Sequence, residues 1–336
     1  MPLCRCTLAR LLGRMLGGCL LPAAALAMVG LFPAAARAEY PKRTITLIVP
    51  FAPGDSSDFI ARILAAELSQ SLRQPVVVDN RPGAAGNIGM AAAARATPDG
   101  YTLLLTSSAI AVNAALFRNP PFDPINDFSP IAELADTPDV VVVRPDSGIA
   151  TLGDLIAQAK AAPERFNYAG LAAGTRSHLT GELIKLGAGI KMVHVPFRTS
   201  GGALSAVLAG TVQVATLALR HAAPLIRSGK LHALAVTGAK RWPSLSNIPT
   251  VSESGVPNFV SETFHALFAP AGTSRDVVGL LAFESHRIFE DPKVREQARR
   301  AGYEVVAGSP EQLAAHVKAE IAAMRDLVDR TGMMIP

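Results

Sequence analysis

An α/β fold made of two units, each a mostly parallel sheet flanked by helices on both faces, is predicted by two features of the sequence. From Thr44 onward, short β-branched runs alternate with segments of helical periodicity. From Val140 a second series of the same kind begins and has a similar length. The 336 residues allow either one large domain or two medium ones, so length does not contradict the pattern.

The elements follow in order. ITLIV (Ile45 to Val49) reads as a fully buried strand, and Phe59, Ile60, Ile63, Leu64, Leu68 and Leu72 then mark one apolar helix face. VVVDN from Val76, a helix from Asn87 and TLLLTS from Thr102 continue the alternation. The second series runs from VVVV at Val140 through TLGDLIAQAK, where Thr151 and Asp154 fit a capping box. Next come NYA at Asn167, a helix from about Ser177, MVHVPF, a helix near GALSAVLAG, VQVATLAL and LHALAVT. A Pro- and Ser-rich loop from Trp242 leads into the strand TFHALFAP, and two terminal helices are expected after it. The last of these is bounded by Ser309 as N-cap, Pro310, Gln312 and, beyond its end, Gly332.

All three cysteines, Cys4, Cys6 and Cys19, lie in the first twenty residues, so thiol nucleophiles, iron–sulfur clusters and Cys-ligated zinc are excluded from the rest. That same region carries Arg5, Arg10 and Arg14, an apolar run and the small-residue motif ARA at Ala36 to Ala38. This is the pattern of a cleaved secretory signal over residues 1–38, with an uncleaved anchor as the other reading. Removing it takes four arginines, so 32 Lys and Arg become 28 against 27 Asp and Glu. The sequence pI of about 9.3 therefore owes much to the leader, and no basic block supports a nucleic-acid partner.

In open α/β sheets, ligands sit beyond the carboxyl ends of the strands, where helix N-termini also point. FAPGDSSD occupies that place after the first strand: Gly54 permits close backbone approach, Ser56 and Ser57 bring hydroxyls, and the helix amides favour an anion. A small carboxylate fits such a loop. The same residues also read as a turn glycine with Ser57 or Asp58 as helix cap. A similar element, Gly174, Thr175, Arg176, Ser177 and His178, opens a helix in the second unit, and there too Ser177 reads alternatively as a cap. HVPFRTSGG is a third strand end, with Phe197 either on a ligand or in the core and Arg198 either paired or solvated. Arg220 offers a further cation.

Catalytic templates are not met. GAAGNIG has G-x-x-G-x-x-G spacing instead of the dinucleotide fingerprint, and its glycines read as a tight turn into the helix from Asn87. Neither G-x-S-x-G nor H-E-x-x-H occurs, and the seven His are scattered.

The segments YPKRTITLIVPFAPGDSSD, QPVVVDNRPGAAGNIG, TPDGYTLLL, YAGLAAGTRSHLTGEL, MVHVPFRTSGGALSAVLAGTVQV and KRWPSLSNIPTVSESGVP closely resemble the Bug/TctC family, the extracytoplasmic solute receptors of tripartite tricarboxylate transporters. The likeness runs in order through the chain after residue 38, and the NRPGAAGNIG and PDGYTLL blocks are specific to that family. It implies a two-lobed periplasmic binding protein of type II, a Venus-flytrap that closes on a small carboxylate. Lobe 1 would comprise residues 39–138 and 263–336, and lobe 2 residues 139–262. The protein would be a monomer with no cofactor, metal or catalytic residue, partnered by integral-membrane transporter subunits. Main-chain donors and ordered waters would hold the ligand at Pro53, Gly54, Asp55, Ser56, Ser57 and Asp58 and at Gly174, Thr175, Arg176, Ser177 and His178. Ser107, Ser108, Phe197, Arg198 and Thr199 would surround the cleft.

Four departures matter. The family usually has Gly-Gly at Gly54-Asp55, aromatic-Lys-Gly at Phe197-Arg198-Thr199 and Trp-Phe at Phe264-His265, and often Phe-Asp-Asn at Leu217-Ala218-Leu219. Asp55 facing the cleft would repel a carboxylate unless Arg176, Arg198 or Arg220 offsets it. A receptor serving a sensor kinase, or an exported α/β hydrolase relying on Ser177, are the competing readings.

Overall fold

Ile45, Leu47, Ile48 and Val49 are at most 1% exposed because β1 (Ile45–Val49) is an inner strand, parallel to β2 (Val76–Asn80) on one side and β3 (Thr102–Ser107) on the other. In this computed structural model the described residues are 40–163 and 165–334, and the export signal read at residues 1–38 lies outside them. Helices α1 (Ser56–Ser71) and α2 (Asn87–Ala94) make the crossovers between these strands, and α3 (Ala109–Leu116) follows β3.

The sixteen-residue β4 (Phe128–Val143) then leads into a second series. That series comprises α4 (Leu152–Ala161), β5 (Asn167–Leu171), α5 (Arg176–Ala188), β6 (Val193–Phe197), α6 (Ser200–Leu208), β7 (Val214–Ala218), α7 (Leu219–Arg227) and β8 (His232–Val236). Strand β5 is parallel to β6 and β7. The chain returns through β9 (Glu262–Pro270), followed by α8 (Arg275–Glu290), α9 (Pro292–Arg300), β10 (Glu304–Gly308) and α10 (Pro310–Thr331).

Strand β4 changes partners along its length. Residues 128–138 pair antiparallel with β9, ending at Pro138 opposite Glu262, whereas Asp139 to Val143 pair antiparallel with β7. Strand β10 joins the first part of β4, and β8 joins the second. Each half therefore has a parallel set of three strands, and the strands that pass between halves add antiparallel pairings. The cores divide the same way. One cluster joins Ile48, Leu104, Ile110, Phe264, Phe268 and Leu313. Two others, built around Val142 with Leu217 and around Tyr168 with Ile184, contain only residues between Val140 and Phe259. A smaller seam places Leu179 of α5 against Val112, Leu116 and Met324.

The C-terminal region holds three helices where two were expected, with β10 between the second and the third. Asp291 and Pro292 cause the extra break: proline cannot continue α8, and Asp291 caps α9 by accepting from the Lys293 and Val294 amides. The capping boxes at Thr151 with Asp154 and at Ser309 with Gln312 are both formed.

In GAAGNIG the third glycine is required by packing. A Cβ on Gly89 would lie 2.7 Å from Pro50 Cβ, 2.8 Å from Pro50 Cα and 2.9 Å from the Arg81 carbonyl oxygen, so α2 lies directly on the backbone leaving β1 and β2. Backbone cannot swing aside as a side chain can. Gly89→Ala is expected to destabilise the protein by about 1–3 kcal/mol in urea unfolding; an unchanged midpoint would contradict this packing.

Candidate functional site

The loops after β1 and β5 share one hydrogen-bond pattern. In the first, Gly54 takes φ +85°, the Asp55 amide donates to the Ala52 carbonyl at 3.1 Å, and the Gly54 amide donates to the Asp58 carboxylate at 2.8 Å. In the second, Gly174 takes φ +85°, the Thr175 amide donates to the Ala172 carbonyl at 3.1 Å, and the Gly174 amide donates to His178 Nδ1 at 3.2 Å. Glycine meets the positive φ without strain. In both loops the side chain four residues on ties the turn to the helix it opens.

Asp58 is only 2% exposed and also accepts from Arg62 Nε at 2.8 Å and Asn80 Nδ2 at 2.9 Å. Burial raises its pKa, but the bonds from Arg62, Gly54 and Asn80 outweigh that and hold the carboxyl below its ordinary value. His178 accepts at Nδ1, which assigns the ring proton to Nε2, and burial lowers its pKa in keeping with a neutral ring.

These loops face a cavity of about 100 Å³. The first half contributes Phe51, Asp55, Ser56, Ser57, Ser107, Ser108, Ala109, Thr263 and His265. The second contributes Asp139, Leu171, Thr175, Arg176, Ser177, Ser200, Ala218 and His221. Helices α1, α5 and α7 begin here, and none of their N-cap side chains bonds a helix amide. The starts of α3, at the cavity, and of α2, away from it, are likewise without an N-cap side-chain bond, whereas α4, α8, α9 and α10 are side-chain capped, as is α6, which reaches the cavity through Ser200. Open helix amides with their partial positive charge make a receptacle for an anion.

Three polar atoms on lining residues are buried without a protein partner: Arg176 Nε, Ser108 Oγ and His265 Nε2. Buried polar groups are rarely left so, and a bound polar guest would satisfy them. The Arg176 guanidinium also pairs with Glu320 of α10, joining the two halves at the cavity wall. Arg220 makes a second cross-contact. It donates to the Gly54 carbonyl at 2.9 Å and stands 4.9 Å over the Phe59 ring, which stacks on Tyr303 at 5.4 Å.

Two carboxyls line the cavity. Burial raises Asp55, opposed by a main-chain bond at Ala52 and by the charge of Arg220. Burial raises Asp139 to about 6, opposed by the Thr180 hydroxyl, 2.8 Å away, and by Arg176. His265 is fully buried and its pKa falls to about 3, first through desolvation and then through Arg220, so the ring is neutral. Its Nδ1 lies 3.1 Å from Ser57 Oγ. The contact has the reach of a nucleophile–base pair, and among the described residues the ring's other nitrogen, Nε2, has no partner that would orient it as a triad requires. Among the described residues, no group of three or more His, Cys, Asp or Glu is placed to hold a metal ion.

Of the residues singled out from sequence, Asp55, Ser56, Ser57, Ser107, Ser108, Thr175, Arg176 and Ser177 line the cavity. Gly54, Asp58, Gly174 and His178 brace the loops behind it, and Pro53 is exposed beside them. Phe197 packs on the core of the second half, Arg198 is exposed, and Thr199 caps α6, leaving Ser200 as the residue of that loop on the cavity. Ser177 Oγ accepts from the Leu171 amide at 2.8 Å, a loop-bracing bond. Asp139, His221 and Thr263 were not singled out, and His265 was marked only as a departure from the family pattern. An acid at the head of VVVV and a histidine inside TFHALFAP are the signals that could have marked two of them.

Asp58→Ala would leave the Gly54 amide and two side-chain donors without their acceptor. A loss of about 1–3 kcal/mol in stability is expected, read as a lowered unfolding midpoint. No change would show that Asp58 does not hold the loop.

Comparison with known proteins agrees with this geometry. Residues 60–333 match the family described as "Tripartite tricarboxylate transporter family receptor". The chain is 37% identical over 316 residues to Protein BugT of Bordetella pertussis, covering 91% of this chain and 97% of that protein. It superposes on R. palustris Rpa4515, solved with adipate, with a TM-score of 0.83 and 34% identity over 88% of this chain and 99% of that one. MatC (Rpa3494) from Rhodopseudomonas palustris, solved with bound malate, gives a TM-score of 0.79 and 30% identity over 86% of this chain and all of that one, 100%. Two halves meeting at a cavity, with this match along nearly the whole chain, place the protein in the receptor family of the tripartite tricarboxylate transporters.

Proposed function

We propose that this protein is a periplasmic receptor that holds a small organic carboxylate between its two lobes and presents it to integral-membrane transporter subunits, with no chemistry of its own. The observation that carries this reading is the pair of matching loops, each opening a helix without a side-chain cap onto one cavity. The adipate and malate bound by Rpa4515 and MatC support the ligand class.

Residues 39–138 with 263–336 serve as one lobe and residues 139–262 as the other, in line with the partner change of β4 at Pro138 and Asp139. Closure brings Arg176 to Glu320 and Arg220 to the Gly54 carbonyl, burying the guest and changing the face shown to the membrane partner. The mature chain works as a monomer after removal of residues 1–38.

Purified mature protein screened by thermal shift and titration calorimetry against di- and tricarboxylates is expected to show saturable stabilisation by at least one acid. At about a hundredfold excess over Kd the gain is about 2.7 kcal/mol. Stabilisation by none of them would overturn the proposal. So would turnover of ester substrates that is lost in Ser57→Ala.

A further inference from the structure

The cavity places acidic side chains where an acid is expected to bind. Asp55 and Asp139 both line it. Of the basic groups on its wall, Arg176 is already paired with Glu320, and His221 and His265 are neutral, with pKa values lowered by desolvation to about 4 and about 3. Arg220 lies outside the lining, committed to the Gly54 carbonyl and to the Phe59 face. Two acids therefore face a small space in which the charges of Arg220, near Asp55, and Arg176, near Asp139, only partly offset their burial.

The remaining lining groups have the opposite preference. Open amides of α1 and α5, Arg176 Nε and Ser108 Oγ all suit an anion. With Ser57 donating to Nδ1, His265 Nε2 carries the ring proton and joins them as a donor. A dianionic guest would satisfy these donors and leave both aspartates facing like charge. An ammonium on the guest would satisfy the aspartates too.

We infer that the ligand is a small acid bearing a cationic amine, with its carboxylate on the helix amides and its ammonium on Asp55 and Asp139. This rests on the receptor reading above and narrows its substrate class. Both aspartates are needed for the fit. Asp139 stands on the strand shared by the two halves and is held by Thr180, whereas Asp55 stands at the mouth of α1 where its side chain makes no capping bond. A guest bridging them would thus touch the first loop and the crossing strand together.

Titration calorimetry of the mature protein near neutral pH with matched pairs tests this: aspartate against succinate, 4-aminobutyrate against glutarate, and 6-aminohexanoate against adipate. Within the pair that fits the cavity, the amine-bearing acid is expected to bind about tenfold tighter or more, the scale of one charge-assisted contact. Asp55→Asn is expected to bring the two within about twofold, and Asp55→Gly, which leaves the loop its glycine turn, to do the same if the amide variant folds poorly. Dicarboxylates binding as tightly as their amine partners, or tightening in Asp55→Asn, would overturn the inference while leaving the receptor reading intact. A preference for amines that neither Asp55 variant moves would also overturn it. Binding by no acid of either series would overturn both.

Discussion

An α-helix begins with amides that have no partner inside the helix, and something must accept from them. In this protein, N-cap side chains do so at α4, α6, α8, α9 and α10 but not at α1, α2, α3, α5 and α7, and of these α1 and α5 follow the two matching glycine loops. Those two starts open onto the cavity: at the first the N-cap Asp55 makes no capping bond, and at the second the N-cap Thr175 hydroxyl donates instead to the Ala172 carbonyl at 2.7 Å. The Asp58 carboxylate accepts from Gly54 and the Ser177 hydroxyl accepts from Leu171, so each stiffens its own loop. The open amides and the rigid loops are thus two consequences of one arrangement.

Such a receptacle is only half a site on each side. The loop after β1 and the loop after β5 belong to parallel strand sets with separate cores, joined by β4 and the return through β9. What draws the halves together is modest: a small apolar seam at Leu179, the Arg176–Glu320 pair and the reach of Arg220 to Gly54.

Much of this was legible in the sequence, because buried parallel strands and their crossover helices write clear periods. Strand β4 was harder. Only Val140 to Val143 read as strand, since Pro130 and Pro138 argue against one, yet the chain accommodates them with register shifts between Pro130 and Ala132 and between Glu133 and Ala135. The two anion loops were visible as strand–glycine–helix junctions. Asp139 was not marked, and His265 only as a departure from the family pattern, because both lie on strands buried on both faces, where no polar alternation marks the side that meets the cavity. The third loop misled by one position, since the chain turns so that Ser200, after the capping Thr199, is the residue presented.

Backbone amide NMR on the mature protein, titrated with an acid that binds, shows directly whether main-chain amides of the two helix starts hold the anion. The largest downfield proton shifts are expected at Ser56, Ser57, Arg176 and Ser177, together and in both halves. Saturable binding that leaves those four amides unmoved would contradict that role.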